Sequence, residues 1–338
     1  MTKKERFYAA IERKPTDRPA GWLGMPTEAA LPGLYEYFGV TDYYGLKRAV
    51  DDDIWSVEIP FTPFDFTKPS AKTQERTLTN PGFFEDHEDE SAVDLFPWPD
   101  PAECIDLQKC EELLNSAPEG YPVMAVIWSS HFQEACAAFG MQDALIKMKI
   151  APELFEAVID RITEFYLAVN KILYETARGR LDAVLIGNDF GTQQGLIISR
   201  EDLKQFVFKG TARLVEQAKS YGLKVFHHSC GAISQVIPDI TRCGADVVHP
   251  IQALAAGMEP EALKEQFLDT VSFCGGVDAQ YLLVNGTPEQ IEEKVKQLYA
   301  LFPTGLIISP SHEAILPDIP PSNIDALFQS IRKLEREL

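Results

Sequence analysis

The chain has 338 residues, of which 45% are hydrophobic, so it can bury the core of one large barrel or of two ordinary domains. Its 51 acidic residues against 31 basic ones give a formal net charge of -20, which disfavours phosphate backbones and anionic lipid surfaces as partners. No apolar stretch approaches the length of a membrane span. We therefore expect no nucleic acid and no membrane among the partners.

The first segment, "MTKKERFYAAIERKPTDRP", predicts a helix rather than a signal peptide, because it lacks an uninterrupted apolar region. Thr2 and Glu5 have the spacing of a capping box, and Pro15 ends the helical pattern. The six cysteines are scattered and include no C-x-x-C pair, which argues against disulfides and against a structural zinc ribbon. These features predict a cytoplasmic protein with reduced cysteines.

Eight short apolar runs follow one another along the chain, with helical patterns between most of them. They are residues 19–23, 53–59, 122–128, 182–189, 224–229, 245–250, 270–277 and 305–311. Continuous rather than alternating apolar runs are typical of parallel strands that are covered on both faces. Between the last two runs, Thr287, Pro288 and Gln290 form a helix start, and an earlier helix is predicted to begin at Ser199 and end at Gly222.

Eight strands that alternate with helices predict an α/β protein, a (β/α)8 TIM barrel. An open doubly wound sheet is the alternative, but it favours a glycine-rich phosphate turn after the first strand, and none is present. We expect residues 1–338 to form a single domain. Residues 60–120, between the second and third strands, are expected to form an inserted flap over one opening of the barrel. Its charge run at 85–90 is also consistent with a simple solvated surface.

Polar residues that are unusual for buried strands gather at the predicted strand ends, where the active site of a TIM barrel lies. They are Asp189 and Gln193 after the fourth run, His228 and Cys230 after the fifth, His249 after the sixth, Asp278 after the seventh, and His312 and Glu313 after the eighth. Closure of the barrel would bring these residues together around one opening.

His228 and Cys230 lie one residue apart at a strand end, and a crowded turn would explain them without any metal. With His312 at another strand end, however, they would supply three protein ligands and leave one position open, which is the pattern of catalytic zinc. Imidazole and thiolate are ligands that zinc favours. The sequence therefore suggests a Zn2+ site at His228, Cys230 and His312 as a hypothesis.

The other polar residues at the strand ends have two interpretations each. Asp189 could orient a ligand or act as an acid or base, or it could cap the helix that follows. Glu313 could be a fourth ligand or a proton shuttle, or it could lie exposed. Gln193 and Asp278 could contact the substrate, or they could anchor loops. His249 is expected to satisfy backbone groups at the end of its strand.

Successive side chains along a strand point to opposite faces of the sheet. His227 precedes His228 and should therefore point into the outer layer of the barrel. Trp128 is assigned to substrate contact as one of four large aromatic residues near the strand ends, although core packing would also explain it. The other three are Trp22, Trp55 and Phe190.

These stretches resemble the uroporphyrinogen decarboxylase superfamily over almost the whole chain. The likeness is densest in "DFGTQQGLIISREDLKQFV", "HHSCGAISQVIPDITRCGADVVHP", "FCGGVDAQYLL" and "ISPSHEAILPDIPPSNI". The resemblance implies a TIM barrel with one of two chemistries. One is metal-free decarboxylation of uroporphyrinogen. The other is cobalamin-dependent methyl transfer involving methanol, methylamine, coenzyme M, chloromethane or methoxylated aromatics.

Decarboxylation requires fixed cations for a substrate with many carboxylates, and that branch has an arginine-rich motif after the first strand. Residues 22–40, which follow the first strand here, contain no Arg or Lys. We therefore expect the methyltransferase-like branch, many of whose members hold zinc through His-X-Cys and a distant Cys. His228 and Cys230 match this motif. His312 stands at the position of the distant Cys, where the decarboxylases also have His.

The resemblance thus implies a zinc-dependent methyltransferase that moves a methyl group between a corrinoid and either a small methylated substrate, such as a methoxylated aromatic, or a thiol. No cobalamin-binding sequence of the usual His-centred type is evident, so a separate corrinoid protein is expected to dock at the barrel opening, with residues 60–120 as its docking surface. A metal-free docking or regulatory barrel is the non-enzymatic alternative. The sequence leaves the oligomeric state open, with a homodimer as one option.

Overall fold

The structure, a computed structural model, describes residues 1–61, 64–67 and 79–334. Its strands are β1 (Ala20–Gly21), β2 (Met25–Pro26), β3 (Trp55–Glu58), β4 (Val123–Trp128), β5 (Ala183–Gly187), β6 (Lys224–His228), β7 (Val247–Ile251), β8 (Ser272–Val277), β9 (Leu306–Pro310) and β10 (Ala314–Ile315). Eight of them form one sheet in the order β1-β9-β8-β7-β6-β5-β4-β3, and all its pairs are parallel. Each of the eight predicted apolar runs overlaps one strand of this sheet, so the predicted barrel architecture is confirmed.

The two ends of this sheet, β1 and β3, are joined through the residues that precede β3. The Asp53 N–H donates to the Gly21 carbonyl at 3.1 Å, and the Gly21 N–H donates to the Asp53 carboxylate at 2.8 Å. The Leu23 N–H donates to the Asp52 carboxylate at 3.2 Å, and the buried Lys47 ammonium lies 2.5 Å from the same carboxylate. Side-chain carboxylates therefore complete the closure that short strands leave unfinished.

Side chains along the strands alternate between the barrel interior and the layer beneath the helices. The interior cluster contains Trp22, Val126 and Phe226, whereas Trp55 and Phe190 belong to the larger cluster in the outer layer. The same alternation carries Trp128 and His228, each two residues after an interior side chain, to the carboxyl end of the interior. The strand register thus decides which residues face the opening.

The helices surround this sheet. They are α1 (Lys3–Ile11), α2 (Leu31–Phe38), α3 (Tyr43–Val50), α4 (Pro101–Cys104), α5 (Leu107–Asn115), α6 (His131–Phe139), α7 (Met141–Ile150), α8 (Pro152–Ala177), α9 (Arg200–Asp202), α10 (Phe208–Ser220), α11 (Ile237–Arg242), α12 (Pro260–Phe267), α13 (Leu282–Asn285), α14 (Pro288–Leu301) and α15 (Pro321–Lys333). A π-helical turn, Leu203–Val207, joins α9 to α10, and 3-10 turns lie at Glu90–Leu95 and Ser234–Val236. In the described part of the chain, no helix combines the length and the apolar character needed to cross a membrane.

The helix starts follow the sequence signals. Both capping boxes form, at Thr2 with Glu5 before α1 and at Thr287 with Gln290 before α14. The Ser199 hydroxyl accepts a hydrogen bond from the Asp202 N–H at the start of α9. The cysteines at all six positions are free, with no disulfide between them.

The described part of residues 60–120 packs against α8. The Phe64 ring lies 4.4 Å from the Phe165 ring of α8, and the Arg161 guanidinium lies 5.2 Å from the centre of the Trp98 ring. Part of the segment, residues 62–63 and 68–78, lies outside the described residues. Its assignment as a flap and as a docking surface therefore stays a prediction.

Candidate active site

Three adjacent strands deliver the polar residues that meet at the carboxyl end of the barrel. His228 ends β6 and is the register partner of His249 on β7 and of Gly187 on β5. A Cβ at Gly187 would lie 2.1 Å from the His228 carbonyl oxygen, so only glycine fits at this crossing. Asp189 follows β5 directly and therefore reaches the residues after β6.

The first donor group consists of Asp189, His228 and Cys230, whose ligand atoms all lie within 4.8 Å of one another. The Asp189 Oδ1 atom accepts a hydrogen bond from the Cys230 N–H at 2.9 Å and lies 3.2 Å from the His228 Nε2. The Cys230 Sγ lies 3.4 Å from the same His228 nitrogen. A carboxylate, an imidazole and a thiol thus converge on one point, and this combination suits zinc.

The second donor group consists of His228, His249 and Glu313. The Nδ1 atoms of the two imidazoles lie 2.9 Å apart, and the Glu313 Oε2 lies 3.5 Å from the His228 Nδ1. The His249 Nε2 and the Glu313 Oε2 are buried without a hydrogen-bond partner. Buried polar atoms of this kind are costly and occur mainly where a ligand or ion completes the site.

Glu313 is held in this position by a small parallel sheet outside the barrel. β10 pairs with β2, which connects the chain after β9 to the chain after β1. The Met25 N–H donates to the Glu313 carbonyl at 2.6 Å. Gly24 has a φ of 80°, and a Cβ there would lie 2.5 Å from the same carbonyl oxygen. The Glu313 side chain is only 12% exposed, so the surface interpretation does not describe it.

The charges of the site are strongly coupled. Burial disfavours the charged form of His228, but the Glu313 and Asp189 carboxylates outweigh burial and raise its pKa well above the usual range. Burial and the neighbouring His228 charge lower the pKa of His249 well below its usual value. Burial raises the pKa of the Cys230 thiol against the influence of His228. Without a metal, the stable arrangement is therefore an imidazolium between two carboxylates, so metal binding must release protons.

His312 lies beside this group without belonging to either donor set. Its ring centre is 6.3 Å from that of His228, and its Nδ1 accepts a hydrogen bond from the Ala314 N–H at 3.0 Å. The Glu313 Oε2 lies 3.6 Å from the same nitrogen. The assignment of His312 as the third metal ligand stays a prediction.

The two residues assigned to substrate on the neighbouring loops make other contacts. Gln193 is exposed, and its side-chain amide lies 3.5 Å from that of Gln280. The buried Asp278 carboxylate accepts hydrogen bonds at 2.7–3.0 Å from the backbone N–H groups of the three residues 280–282. These are the contacts of loop anchors, so a substrate role for either residue stays a prediction.

Trp128 lies between the donor groups and an open cavity. Its ring is perpendicular to that of His228, at 5.2 Å between centres. Trp128 and Ser129 have positive φ values of 50° and 53°, a strained backbone conformation that is typical of functional sites. The ring borders a cavity of about 410 Å³, here named the Trp128 cavity. Its lining is Glu58, Ile59, Pro60, Phe61, Trp128, Ser130, Glu134 and Tyr166.

A second cavity, of about 280 Å³ and here named the Tyr43 cavity, shares Glu58 with the first. Its lining is Met25, Pro26, Glu28, Leu31, Tyr43, Tyr44, Ser56, Glu58, Leu113 and Val126. Of the four aromatic residues proposed to line a substrate site, Trp128 alone borders either of these two cavities.

Three residues of the site were missed at the sequence level. Glu58 ends β3, and its charge in an otherwise apolar run was a visible signal. His249 was expected to satisfy backbone groups, whereas it contacts the His228 ring instead. Gln133 donates to the Asp189 carboxylate at 3.2 Å and accepts from the Asp189 N–H at 3.3 Å. It lies on α6, where the local sequence carries no such signal.

A (β/α)8 barrel with imidazole, thiol and carboxylate donors at its carboxyl-end opening is an architecture suited to metal-assisted catalysis. Residues 89–334 match the profile of a protein family described as uroporphyrinogen decarboxylase (URO-D), which covers well over half of the chain. The chain belongs to this family.

Similarity to individual proteins is weaker. The chain is 27% identical over 206 residues to a methylated-thiol–coenzyme M methyltransferase of Methanosarcina mazei, which covers 59% of this chain and 52% of that protein. The chain thus spans about half the length of this curated relative. A solved methyltransferase structure from Methanosarcina mazei superposes with a TM-score of 0.69 at 15% identity, over 99% of this chain and 100% of the other. At that identity the superposition shows the fold alone.

Proposed function

We propose that the protein is a zinc-dependent methyltransferase that moves a methyl group between a corrinoid on a separate protein and a small methylated substrate or a thiol. The observation that carries this proposal is the convergence of His228, Cys230 and Asp189 beside the Trp128 cavity. The name of the curated relative supports methyl transfer as the type of reaction. A methoxylated aromatic, expected from the sequence, is one candidate substrate.

The donor atoms fit zinc by distance. Zinc binds nitrogen and oxygen at about 2.0–2.2 Å and sulfur at about 2.3 Å, so tetrahedral donors lie roughly 3.3–3.7 Å apart. The His228 Nε2 lies 3.2 Å from the Asp189 carboxylate and 3.4 Å from the Cys230 Sγ. Small rotations of these side chains would therefore admit the ion. The buried Glu313 Oε2 nearby makes no hydrogen bond, and its negative charge favours a bound cation further.

Asp189 is our proposal for the third donor, beside His228 and Cys230. It supplies a carboxylate in contact with both residues, whereas the His312 Nδ1 is engaged by the Ala314 N–H. His312, the third ligand expected from the sequence, is kept as the alternative that the experiment below tests.

Zinc bound there would supply a Lewis acid that lowers the pKa of a thiol or stabilises a departing alkoxide or phenolate. The protein's own residues orient the site. Gln133 holds the Asp189 carboxylate, and His249 fixes the plane of the His228 imidazole. Glu313, whose buried Oε2 has no hydrogen-bond partner and lies 3.5 Å from the His228 Nδ1, accepts or returns the proton of a thiol or alcohol. The Trp128 ring stands perpendicular to the His228 ring and borders the cavity beside it.

Decarboxylation of uroporphyrinogen is the alternative within the family. Among the described residues that line the two cavities, none is Lys or Arg, whereas Glu28, Glu58 and Glu134 are carboxylates. A substrate with many carboxylates would find no cationic partner among these described lining residues, and each buried carboxylate left without one costs about 1–3 kcal/mol or more. Incubation with uroporphyrinogen tests this directly, and robust loss of carboxyl groups would overturn the argument.

Metal analysis tests the zinc site. Tag-free wild type, supplemented with zinc and desalted, should retain close to one zinc per chain, and Cys230→Ser should lose it. Cys243→Ser is the matched control, because Cys243 is a free cysteine outside both donor groups. His312→Gln separates the two candidate ligand sets, since it should retain zinc if Asp189 is the third donor. Wild-type zinc well below one per chain would leave the metal-free docking barrel as the better interpretation.

Activity is tested separately. Methoxylated aromatics, methanol and methylamines are incubated with cobalt(I) cobalamin, and consumption of cobalt(I) is followed by its absorbance. Thiols, which accept a methyl group, are incubated with methylcobalamin, and its consumption is followed in the same way. We expect substrate-dependent consumption by the wild type and none by Cys230→Ser. Equal consumption by both proteins would refute a role for this site in methyl transfer.

A further inference from the structure

The buried side chain of Asn188, the residue that follows β5, caps a helix from another part of the chain. α6 begins with His131, but its own N-cap residue, Ser130, makes no side-chain hydrogen bond. The Asn188 Oδ1 atom instead accepts from the N–H groups of Phe132 at 2.8 Å and Gln133 at 3.3 Å. These are the donors that an N-cap side chain normally satisfies. Asn188 therefore fixes the start of α6 from the end of a barrel strand.

The orientation of the Asn188 amide is fixed on its other side by His131. The His131 Nε2 lies 3.0 Å from the Val207 carbonyl, which can only accept, so this nitrogen carries the proton. Burial lowers the pKa of His131 and keeps its ring neutral, so the Nδ1 is an acceptor. The Asn188 Nδ2 donates to this Nδ1 at 3.4 Å, and the Asn188 N–H donates to the His228 carbonyl at 3.1 Å.

Gln133 connects the start of α6 to Asp189. Its Nε2 donates to the Asp189 Oδ2 at 3.2 Å, and its Oε1 accepts from the Asp189 N–H at 3.3 Å. The other carboxylate oxygen, Oδ1, lies 2.9 Å from the Cys230 N–H nitrogen and 3.2 Å from the His228 Nε2. A displacement of α6 would therefore move the Asp189 carboxylate, although the Asn188 side chain makes no hydrogen bond to any donor atom of the site.

We propose that Asn188 is a positioning residue, which fixes α6 so that Gln133 holds the Asp189 carboxylate beside His228 and Cys230. Hydrogen bonds that orient the ligands of a metal are worth about 10- to 100-fold in its affinity. The effect on metal binding rests on the function proposed above, whereas the positioning of Asp189 does not. A helix cap without influence on the site is the alternative role of Asn188.

Hydrogen exchange of the metal-free full chain tests the positioning. NMR follows the backbone amides of Phe132, Gln133 and Cys230, and we expect Asn188→Ala to make all three exchange at least about tenfold faster. The Cys230 amide is decisive, because it donates to Asp189 and not to Asn188. An unchanged Cys230 amide, with or without faster exchange at the start of α6, would overturn the proposal.

Two further variants separate the steps from Asn188 to Cys230. Asn188→Asp keeps an acceptor for the N–H groups of α6, so it should preserve the protection of the Cys230 amide. Gln133→Ala removes only the contact with Asp189, so it should expose the Cys230 amide while the Phe132 amide stays protected. This variant decides the question even if Asn188→Ala does not fold. A Cys230 amide that exchanges at the wild-type rate in Gln133→Ala would refute the positioning.

Asn323→Ala is the matched control for a general loss of stability. The buried Asn323 amide donates to the Leu283 and Gly286 carbonyls at 2.9 and 3.0 Å, outside both donor groups. We expect this variant to leave the Cys230 amide close to its wild-type exchange rate. A rise as large as that in Asn188→Ala would show that exchange reports overall stability, and would count against the proposal.

Zinc affinity, measured by competition with a chelator, tests the consequence for the proposed metal centre. Asn188→Ala and Gln133→Ala should each weaken zinc binding about 10- to 100-fold, and Asn188→Asp should bind as wild type does. Because Asn188 acts through Gln133, the double variant should bind zinc no more weakly than Gln133→Ala alone. Additive losses would contradict this route.

The inference and the proposed function can fail separately. Wild type that holds no zinc, with the expected exchange rates, would preserve the positioning of Asp189 and remove the metal centre. One zinc per chain, with a Cys230 amide unaffected by Asn188→Ala and Gln133→Ala, would preserve the metal centre and remove the positioning role.

Discussion

Asp189→Asn is the sharpest probe of the proposed metal centre, because the substitution keeps the size of the side chain and removes its charge. The Asp189 carboxylate accepts hydrogen bonds from the Cys230 N–H at 2.9 Å and from the Gln133 amide at 3.2 Å, and it lies 3.2 Å from the His228 Nε2. An asparagine oxygen can still accept the Cys230 N–H, so the turn should keep its shape. The loss is then confined to the negative charge offered to a cation.

The magnitude follows from the role of the carboxylate. Zinc binding by four ligands is worth roughly 10–16 kcal/mol, so one ligand contributes about 2.5–4 kcal/mol, or about 70- to 900-fold in the dissociation constant. A carboxylate that merely orients the His228 ring contributes about 10- to 100-fold. The distance of 3.2 Å between the Asp189 oxygen and His228 favours direct ligation. We therefore expect the zinc dissociation constant to rise by more than about 100-fold.

The assay is competition with a chromogenic zinc chelator at fixed pH, with far-UV circular dichroism to verify folding. Glu134→Gln is the matched control, because Glu134 lies on α6 next to Gln133 but outside both donor groups. An increase of about 10- to 100-fold would reassign Asp189 from ligand to orienting residue. A folded variant with less than about a threefold change would falsify the reasoning that Asp189 belongs to the metal centre.

Two further predictions concern stability. Lys47→Met should lower the free energy of unfolding in urea by about 3–5 kcal/mol, because it leaves the Asp52 carboxylate buried without its cation. The control Lys204→Met, at an exposed lysine, should lower it little. A loss below about 1 kcal/mol in Lys47→Met would show that the barrel closure does not need this pair. Burial lowers the pKa of His227 from 6.5 to about 3, so its neutral ring contributes stability above pH 6.5 that is lost as the pH falls toward 3. Between pH 8 and pH 5, chelator-treated wild type should therefore lose about 2 kcal/mol of its free energy of unfolding through His227, and His227→Phe should not show this loss. Identical pH profiles of wild type and variant would contradict this.

The positions of the barrel strands and of several helix starts were determined by the sequence alone. Continuous apolar runs imply burial on both faces, and only parallel strands beneath helices provide it, so all eight runs overlap a strand of the sheet. The capping box at Thr287 and Gln290 is equally local, because the two residues are only three positions apart and their side chains reach each other's free N–H groups. His228 and Cys230, one residue apart after β6, were visible for the same reason.

Only the tertiary structure decided which distant residues join His228 and Cys230. Asp189 contacts Cys230 across 41 residues, and Gln133 contacts Asp189 across 56, because strand register and helix packing bring these positions together. The register of β6 and β7 likewise turns His249 toward His228, although local sequence suggested a backbone contact. Local signals arise from hydrogen bonds and burial within a few residues, whereas a donor set depends on the closure of the whole barrel. The sequence therefore determined the scaffold and two donors, and the fold decided their neighbours.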